Sequence, residues 1–254
     1  MSRPVPTRAL VTIAAVASAT AMLAACGGSA PADNGPAESG SSTSEGTAEA
    51  GAPIVGGELL YLEYQPYTTL YPPQAGFYPN GALVNNIADR LVYQDPVTLE
   101  FSPWIATDWE VNADATQYTF NLRDGVTFSD GSALDAEVVA KNFDAFGLGD
   151  KEAGFPISEQ INNYASSEVV DENTVTFNFS APAPGFLQAT SAIQAGLLSS
   201  ATLDGDLDAY APGNGTNVIG SGPFVISAET VGTEIELTAR EDYDWAPAES
   251  EHQG

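Results

Sequence analysis

Positive charge is scarce in this chain. Its 254 residues hold 7 Lys plus Arg against 34 Asp plus Glu, a formal net charge of -27. Such an acidic surface repels phosphate backbones, which excludes nucleic acid as a partner. It gains nothing from anionic lipid headgroups either. Cysteine occurs once, as Cys26, and histidine once, as His252 near the C-terminus. A lone cysteine excludes an internal disulfide and any multi-cysteine zinc or iron–sulfur centre. A lone tail histidine leaves no Ser-His-Asp or Cys-His device to expect. Neither an enzymatic role nor a cofactor is therefore predicted. What the chain does have is apolar and aromatic content: 43% hydrophobic residues, with 3 Trp, 10 Tyr and 11 Phe. That is enough for a sizeable core and too much for a disordered chain.

The N-terminus reads as an address. Arg3 and Arg8 precede the uncharged stretch Ala9 to Met22, which is rich in Ala and Val. At 14 residues it falls short of the about 20 that a membrane span needs and fits a secretory h-region. Leu23-Ala24-Ala25-Cys26 follows directly and resembles a bacterial lipobox, in which the cysteine receives a diacylglycerol thioether and a palmitate. On that reading residues 1–25 are removed and Cys26 becomes a lipidated N-terminus. Five cations then remain against 34 acids, a net charge of -29. Residues 27–53 use only Gly, Ser, Ala, Pro, Asp, Asn, Glu and Thr. Such a segment cannot bury enough surface to fold and is expected to be a flexible tether between lipid and body.

The body begins near Ile54 and reads as mixed α and β. Gly57 to Tyr64, GELLYLEY, is apolar and strand-like, and Gln65 to Asn80 is a loop dense in Pro, Tyr and Phe. Asn80 is placed to cap a helix whose face carries Leu83, Val84, Ile87, Ala88, Leu91 and Val92. Tyr118 to Leu122 alternates as a strand, and Val126 to Phe128 is a candidate second one between two Asp-Gly turns. Asp135 caps a helix to about Phe146, with Glu137 near its positive end. Ser167 to Val170 and Thr174 to Phe179 form a hairpin around Asp171-Glu172-Asn173, and Phe186 to Ala192 a short helix. Phe224 to Ser227 pairs with Glu234 to Ala239.

Several stretches resemble, in order, the family 5 extracytoplasmic solute-binding proteins of peptide- and nickel-type ABC importers. They are Asn85 to Leu91, Asp95 to Glu100, and Pro103-Trp104-Ile105-Ala106 with Asp108-Trp109-Glu110-Val111. Next come Tyr118 to Gly131, then Ala136-Glu137-Val138-Val139 with Asn142-Phe143. Gly220-Ser221-Gly222-Pro223-Phe224 and Arg240 to Trp245 complete the series. The resemblance implies a periplasmic-binding-protein type II-like α/β fold. Lobe I would span 54–80 and 189–254, with a small domain inserted at 81–188. Members are considerably longer, so the second large lobe is expected to be absent from this chain. The family usually has an acidic residue before proline where this chain has Leu70-Tyr71-Pro72-Pro73, so the substrate class does not carry over.

The function implied is capture of a peptide-like or other small solute and delivery to a membrane permease, by a monomer held at the cell surface by lipid. No bond is made or broken. A ligand-sensing or scaffolding surface lipoprotein is the second reading, and a hydrolase with paired carboxylates a remote third. Gln65, Tyr67, Tyr71 and Tyr78, with Tyr64 and Phe77, are candidates for an aromatic wall against the solute. Packing over the core is the competing role for these side chains. Arg123 and Arg240 are expected in structural ion pairs, and Asp204, Asp206 and Asp208 in a solvated loop rather than a calcium site, because the Gly and closing Glu are missing.

Overall fold

A computed structural model describes residues 56–250, so Cys26, the lipobox and the tether lie outside the described residues. The folded unit starts at Leu59. Its centre is a four-stranded antiparallel sheet of order β3-β4-β6-β5, formed by β3 (Ala106–Val111), β4 (Gln117–Leu122), β5 (Tyr164–Asp171) and β6 (Thr174–Phe179). Alternation decides which face is covered: Tyr118, Phe120 and Leu122 of β4 are buried, as are Val175, Phe177 and Phe179 of β6. Against that face packs α2 (Ala136–Leu148), which begins where the Asp135 carboxylate accepts a hydrogen bond from the Val138 N–H at 2.9 Å. Phe143 of α2 meets Phe177 at a ring separation of 4.5 Å. Phe186, opening the short helix α3 (Phe186–Ala189), packs its ring among Tyr118, Phe120, Phe143, Phe177 and Phe179. Each such ring contributes about 1.5–3 kcal/mol on burial.

Two small antiparallel pairs lie outside this sheet. One is β1 (Val92–Gln94) with β2 (Phe101–Pro103), joined by the turn in which Asp95 accepts from Val97 and Thr98 N–H. The other is β7 (Phe224–Thr230) with β8 (Glu234–Ala239). The fourth helix, α4 (Ser200–Leu203), is capped by Ser199. Asp204 pairs with Lys141 at 2.7 Å, and Asp206 caps the 3₁₀ turn at Leu207–Tyr210, so two of the alternating aspartates have structural partners.

Several expectations need correction. Gly57–Tyr64 forms no strand. It has no ladder partner, and Leu59, Leu60, Tyr61, Leu62 and Tyr64 are exposed. Val126–Phe128 makes only the isolated bridge Thr127↔Ala133. The helix α1 spans Tyr78–Ile87 and starts before Asn80, with Pro79 in its first turn. Asn80 is therefore inside α1, and its side-chain oxygen turns back to accept from the Thr68 N–H at 2.8 Å. Leu91 and Val92 continue the apolar spacing beyond the helix end and are buried all the same. Arg123 makes no carboxylate pair among the described residues and donates instead to the Trp104 carbonyl at 3.2 Å. Arg240 does pair with Asp242, at 2.8 Å.

Candidate functional site

The loop between Gln65 and Asn80 is held at both ends. Tyr67 is buried, and its hydroxyl donates to Glu229 of β7 at 2.7 Å. The same carboxylate accepts from the Gly213 and Gly215 N–H groups at 2.8 and 3.0 Å. Burial and that neighbouring carboxylate push the Tyr67 hydroxyl far above its ordinary pKa, so it stays a donor. Tyr71 is only 1% exposed and sits among Phe146, Phe155 and Tyr210, with ring separations of 5.8, 5.0 and 5.2 Å. These two tyrosines face inward as core and do not stand in a wall. Tyr64, Phe77 and Tyr78 are exposed, and Gln65 is half-buried with its amide 3.4 Å from the Tyr64 hydroxyl. The expected aromatic wall is thus divided between packing and surface.

With the tyrosines turned inward, the 3₁₀ turn Pro72–Gln74 buries Pro72 and leaves Gln74 exposed. A shallow hollow of about 330 Å³ opens there, lined by Pro73, Gln74 and Gly76, by Pro156, Ile157, Glu159 and Gln160, and by Gln194. Gly76 allows the approach: a Cβ there would meet the Gln194 amide nitrogen at 3.0 Å. The side chains of Gln74, Gln160 and Gln194 make no hydrogen bond within the protein among the described residues. Glu159 is the one charged residue in the lining, and no Lys or Arg takes part. Carboxamides both donate and accept, and Pro73, Pro156 and Ile157 add apolar edges. Such a surface can bind a polar solute, and it carries no nucleophile–base pair. Among the described residues no group of His, Cys, Asp or Glu could hold a metal ion, and no helix is long and apolar enough to cross a membrane.

Of this hollow, the sequence pointed only to the segment holding Gln74. Gln160 and Gln194 come from distant segments and carry no periodicity or motif, so no sequence signal joins them.

Residues 100–252, more than half of the chain, match the bacterial extracellular solute-binding proteins, family 5 Middle. The chain is 31% identical over 143 residues to a probable D,D-dipeptide-binding periplasmic protein of Escherichia coli, covering 55% of this chain and 26% of that protein. To the nickel-binding periplasmic protein of the same organism it is 37% identical over 84 residues, which is 31% of this chain and 16% of that one. The fold is shared with the solved structure of an ABC transporter-associated periplasmic binding protein from Helicobacter pylori in complex with the peptide STSA. There the TM-score is 0.60 and the identity 24%, over 72% of this chain and 39% of the other. The chain therefore spans about a quarter, or less, of the length of these two relatives.

Proposed function

Because the chain belongs to the bacterial extracellular solute-binding proteins of family 5, we propose that it serves an ABC importer as the extracytoplasmic component that captures a small, peptide-like solute and hands it to the permease. The family match over residues 100–252 carries this reading. A relative named for D,D-dipeptides and a structural neighbour holding a peptide support the peptide-like class. The chain would supply the first lobe and the inserted small domain, with the hollow at Gln74 and Gln194 forming part of one wall of the cleft. Closure of two lobes over a solute shifts the population toward the form that a permease recognises.

Cys26, in the run Leu-Ala-Ala-Cys, would hold the protein at the outer face of the cell membrane as a monomer. The test is made in the native host. Deleting the gene should abolish uptake of a labelled dipeptide pool, and Cys26→Ser should move the protein from the membrane fraction to the medium. Undiminished peptide uptake in the deletion strain overturns the transport reading. A Ser variant that stays in the membrane fraction after a detergent-free wash overturns the anchor.

A further inference from the structure

Asp89 ties together three segments that are far apart in the chain. Its N–H donates to the Ser221 hydroxyl at 2.9 Å, and its carbonyl accepts from the Leu197 N–H at 2.9 Å. Ser221 closes the knot, because its N–H and its hydroxyl both reach the Leu197 carbonyl at 3.3 Å. The carboxyl group of Asp89 is held separately, by Tyr243 and Trp245. Gln194, which lines the hollow, sits in the 3₁₀ turn Ile193–Ala195 just before Leu197. No slack separates that turn from Asp89: a Cβ on Gly196 would lie 2.9 Å from the Ala88 Cβ. Asp89 is buried, and neither of the two ion pairs among the described residues includes it. The charges that face it are Arg90, next in the chain, and Arg240, itself paired with Asp242. Gly220–Gly222 and Ile193–Leu198 bring none. Tyr243 is the other titratable neighbour, and burial holds its hydroxyl protonated, far above its ordinary pKa.

We propose that Asp89 is a proton-linked coupling residue, whose ionisation displaces Leu197 and so shifts Gln194 in the wall of the hollow. The inference rests on the solute-capture reading for its purpose and adds to it control of the wall by external pH. A neutral carboxyl is satisfied in this dry site: it accepts from Trp245 and can donate its own proton to the Tyr243 oxygen. An ionised carboxyl keeps two donors but loses its hydration, with no ion pair in compensation. It is relieved by moving toward Arg90 or toward water, and either movement pulls on the Asp89 main chain. A close-packed interior passes such a shift on rather than absorbing it. The main-chain bonds to Leu197 and Ser221 make the Ile193–Leu198 segment the first to follow.

The test follows three signals of the ¹⁵N-labelled full chain as pH is raised from about 5 to about 8.5. They are the Trp245 indole N–H, the Leu197 backbone N–H and the Gln194 side-chain amide. All three should titrate with one shared midpoint, near pH 7. Asp89→Asn, which stands in for the neutral acid, should leave all three flat. Trp245→Phe removes a donor that favours the ionised form, so Leu197 and Gln194 should titrate at a higher pH than in the parent. That second variant keeps the test intact if Asp89→Asn fails to fold. A Trp245 signal that titrates while Leu197 and Gln194 stay flat overturns the coupling, and so do three flat signals in the parent. Titration that survives Asp89→Asn, or that disappears when the single histidine is removed in His252→Gln, assigns the proton to another group and overturns it too. A midpoint that Trp245→Phe leaves in place or lowers does the same. None of these results bears on solute capture, which uptake by the deletion strain tests separately.

Discussion

The carboxylate of Asp89 accepts a hydrogen bond from the Trp245 indole N–H at 2.9 Å, joining positions 156 residues apart in the chain. The Tyr243 hydroxyl donates to the other oxygen at 3.1 Å, and the Asp89 backbone N–H donates to Ser221. Asp89 is buried, and burial raises its pKa from 3.8 to about 7 despite the two donors and the Arg90 and Arg240 cations nearby. The sign of the linkage follows. Between about pH 4 and 7 the folded chain keeps a proton that the unfolded chain releases, so this group's contribution to stability falls as pH rises through that window. The full span is on the order of 4 kcal/mol. Asn at this position mimics the protonated acid, with its oxygen accepting from Trp245 and its amide donating to the Tyr243 hydroxyl. Thermal unfolding of Asp89→Asn should therefore show a flatter pH dependence from 4.5 to 7.5 than the parent. An identical slope in the two proteins would place the titration elsewhere.

Glu229 ties three donors from two segments: Tyr67, Gly213 and Gly215. Removing the carboxylate strands all three, whereas removing the Tyr67 hydroxyl strands only part of one acceptor. Urea denaturation should show Glu229→Ala losing about 2–3 kcal/mol and Tyr67→Phe about 1 kcal/mol. Equal losses would show that the Tyr67 bond alone matters and that the loop at Gly213–Gly215 satisfies itself with water.

Gly220-Ser221-Gly222 owes its composition to the chain it touches. A Cβ at Gly220 would lie 1.9 Å from the Ile87 carbonyl oxygen, and one at Gly222 would lie 2.5 Å from the Ile87 carbonyl carbon. The obstacle is backbone, so no side-chain rotation relieves it. The Gly222 N–H donates to that same Ile87 oxygen at 2.9 Å. Gly220→Ala should cost about 3 kcal/mol or more, read as a fall in the denaturation midpoint. A loss under 1 kcal/mol would mean that the end of α1 moves freely.

These contacts also explain what could be read in advance. The α2 start at Asp135, the β5–β6 hairpin and the β7–β8 pair follow from local rules, a cap and turns that act within a few residues. Strand β3 escaped because a register shift between Ala106 and Asp108 leaves Thr107 and Asp108 both exposed, and Val111 is exposed too, which breaks the apolar alternation. The inward turn of Tyr67 and Tyr71 depends on Glu229 and on a ring cluster from Phe146, Phe155 and Tyr210, all remote in sequence. Asn80 looks like a cap by composition, but Phe77 already starts the helix and Pro79 fixes its first turn. Gly57–Tyr64 has strand composition, yet a strand exists only where a partner meets its backbone. Composition carries no information about whether that partner is present.

The exposed run beginning at Leu59 yields the last prediction. Leu59, Leu60 and Leu62 are 89, 78 and 83% exposed, and Tyr61 and Tyr64 are 61 and 74% exposed. The segment makes no strand ladder, so its backbone donors and acceptors form a template for another chain. Replacing Leu60 and Leu62 with Lys removes apolar surface and sets two cations among Glu58, Glu63 and the acidic body. Because these side chains bury little, the melting temperature should stay within about 2 °C of the parent. Self-association is where the change should appear: sedimentation should show the parent forming higher species at high concentration and the double variant remaining monomeric. The segment's exposure also makes it a preferred cleavage site. Brief proteolysis should cut between Leu59 and Gln65 while the body from Tyr67 onward persists. Sedimentation that is the same for both proteins, or a body degraded as fast as the segment, would show that Leu59–Tyr64 packs in solution and is no free edge.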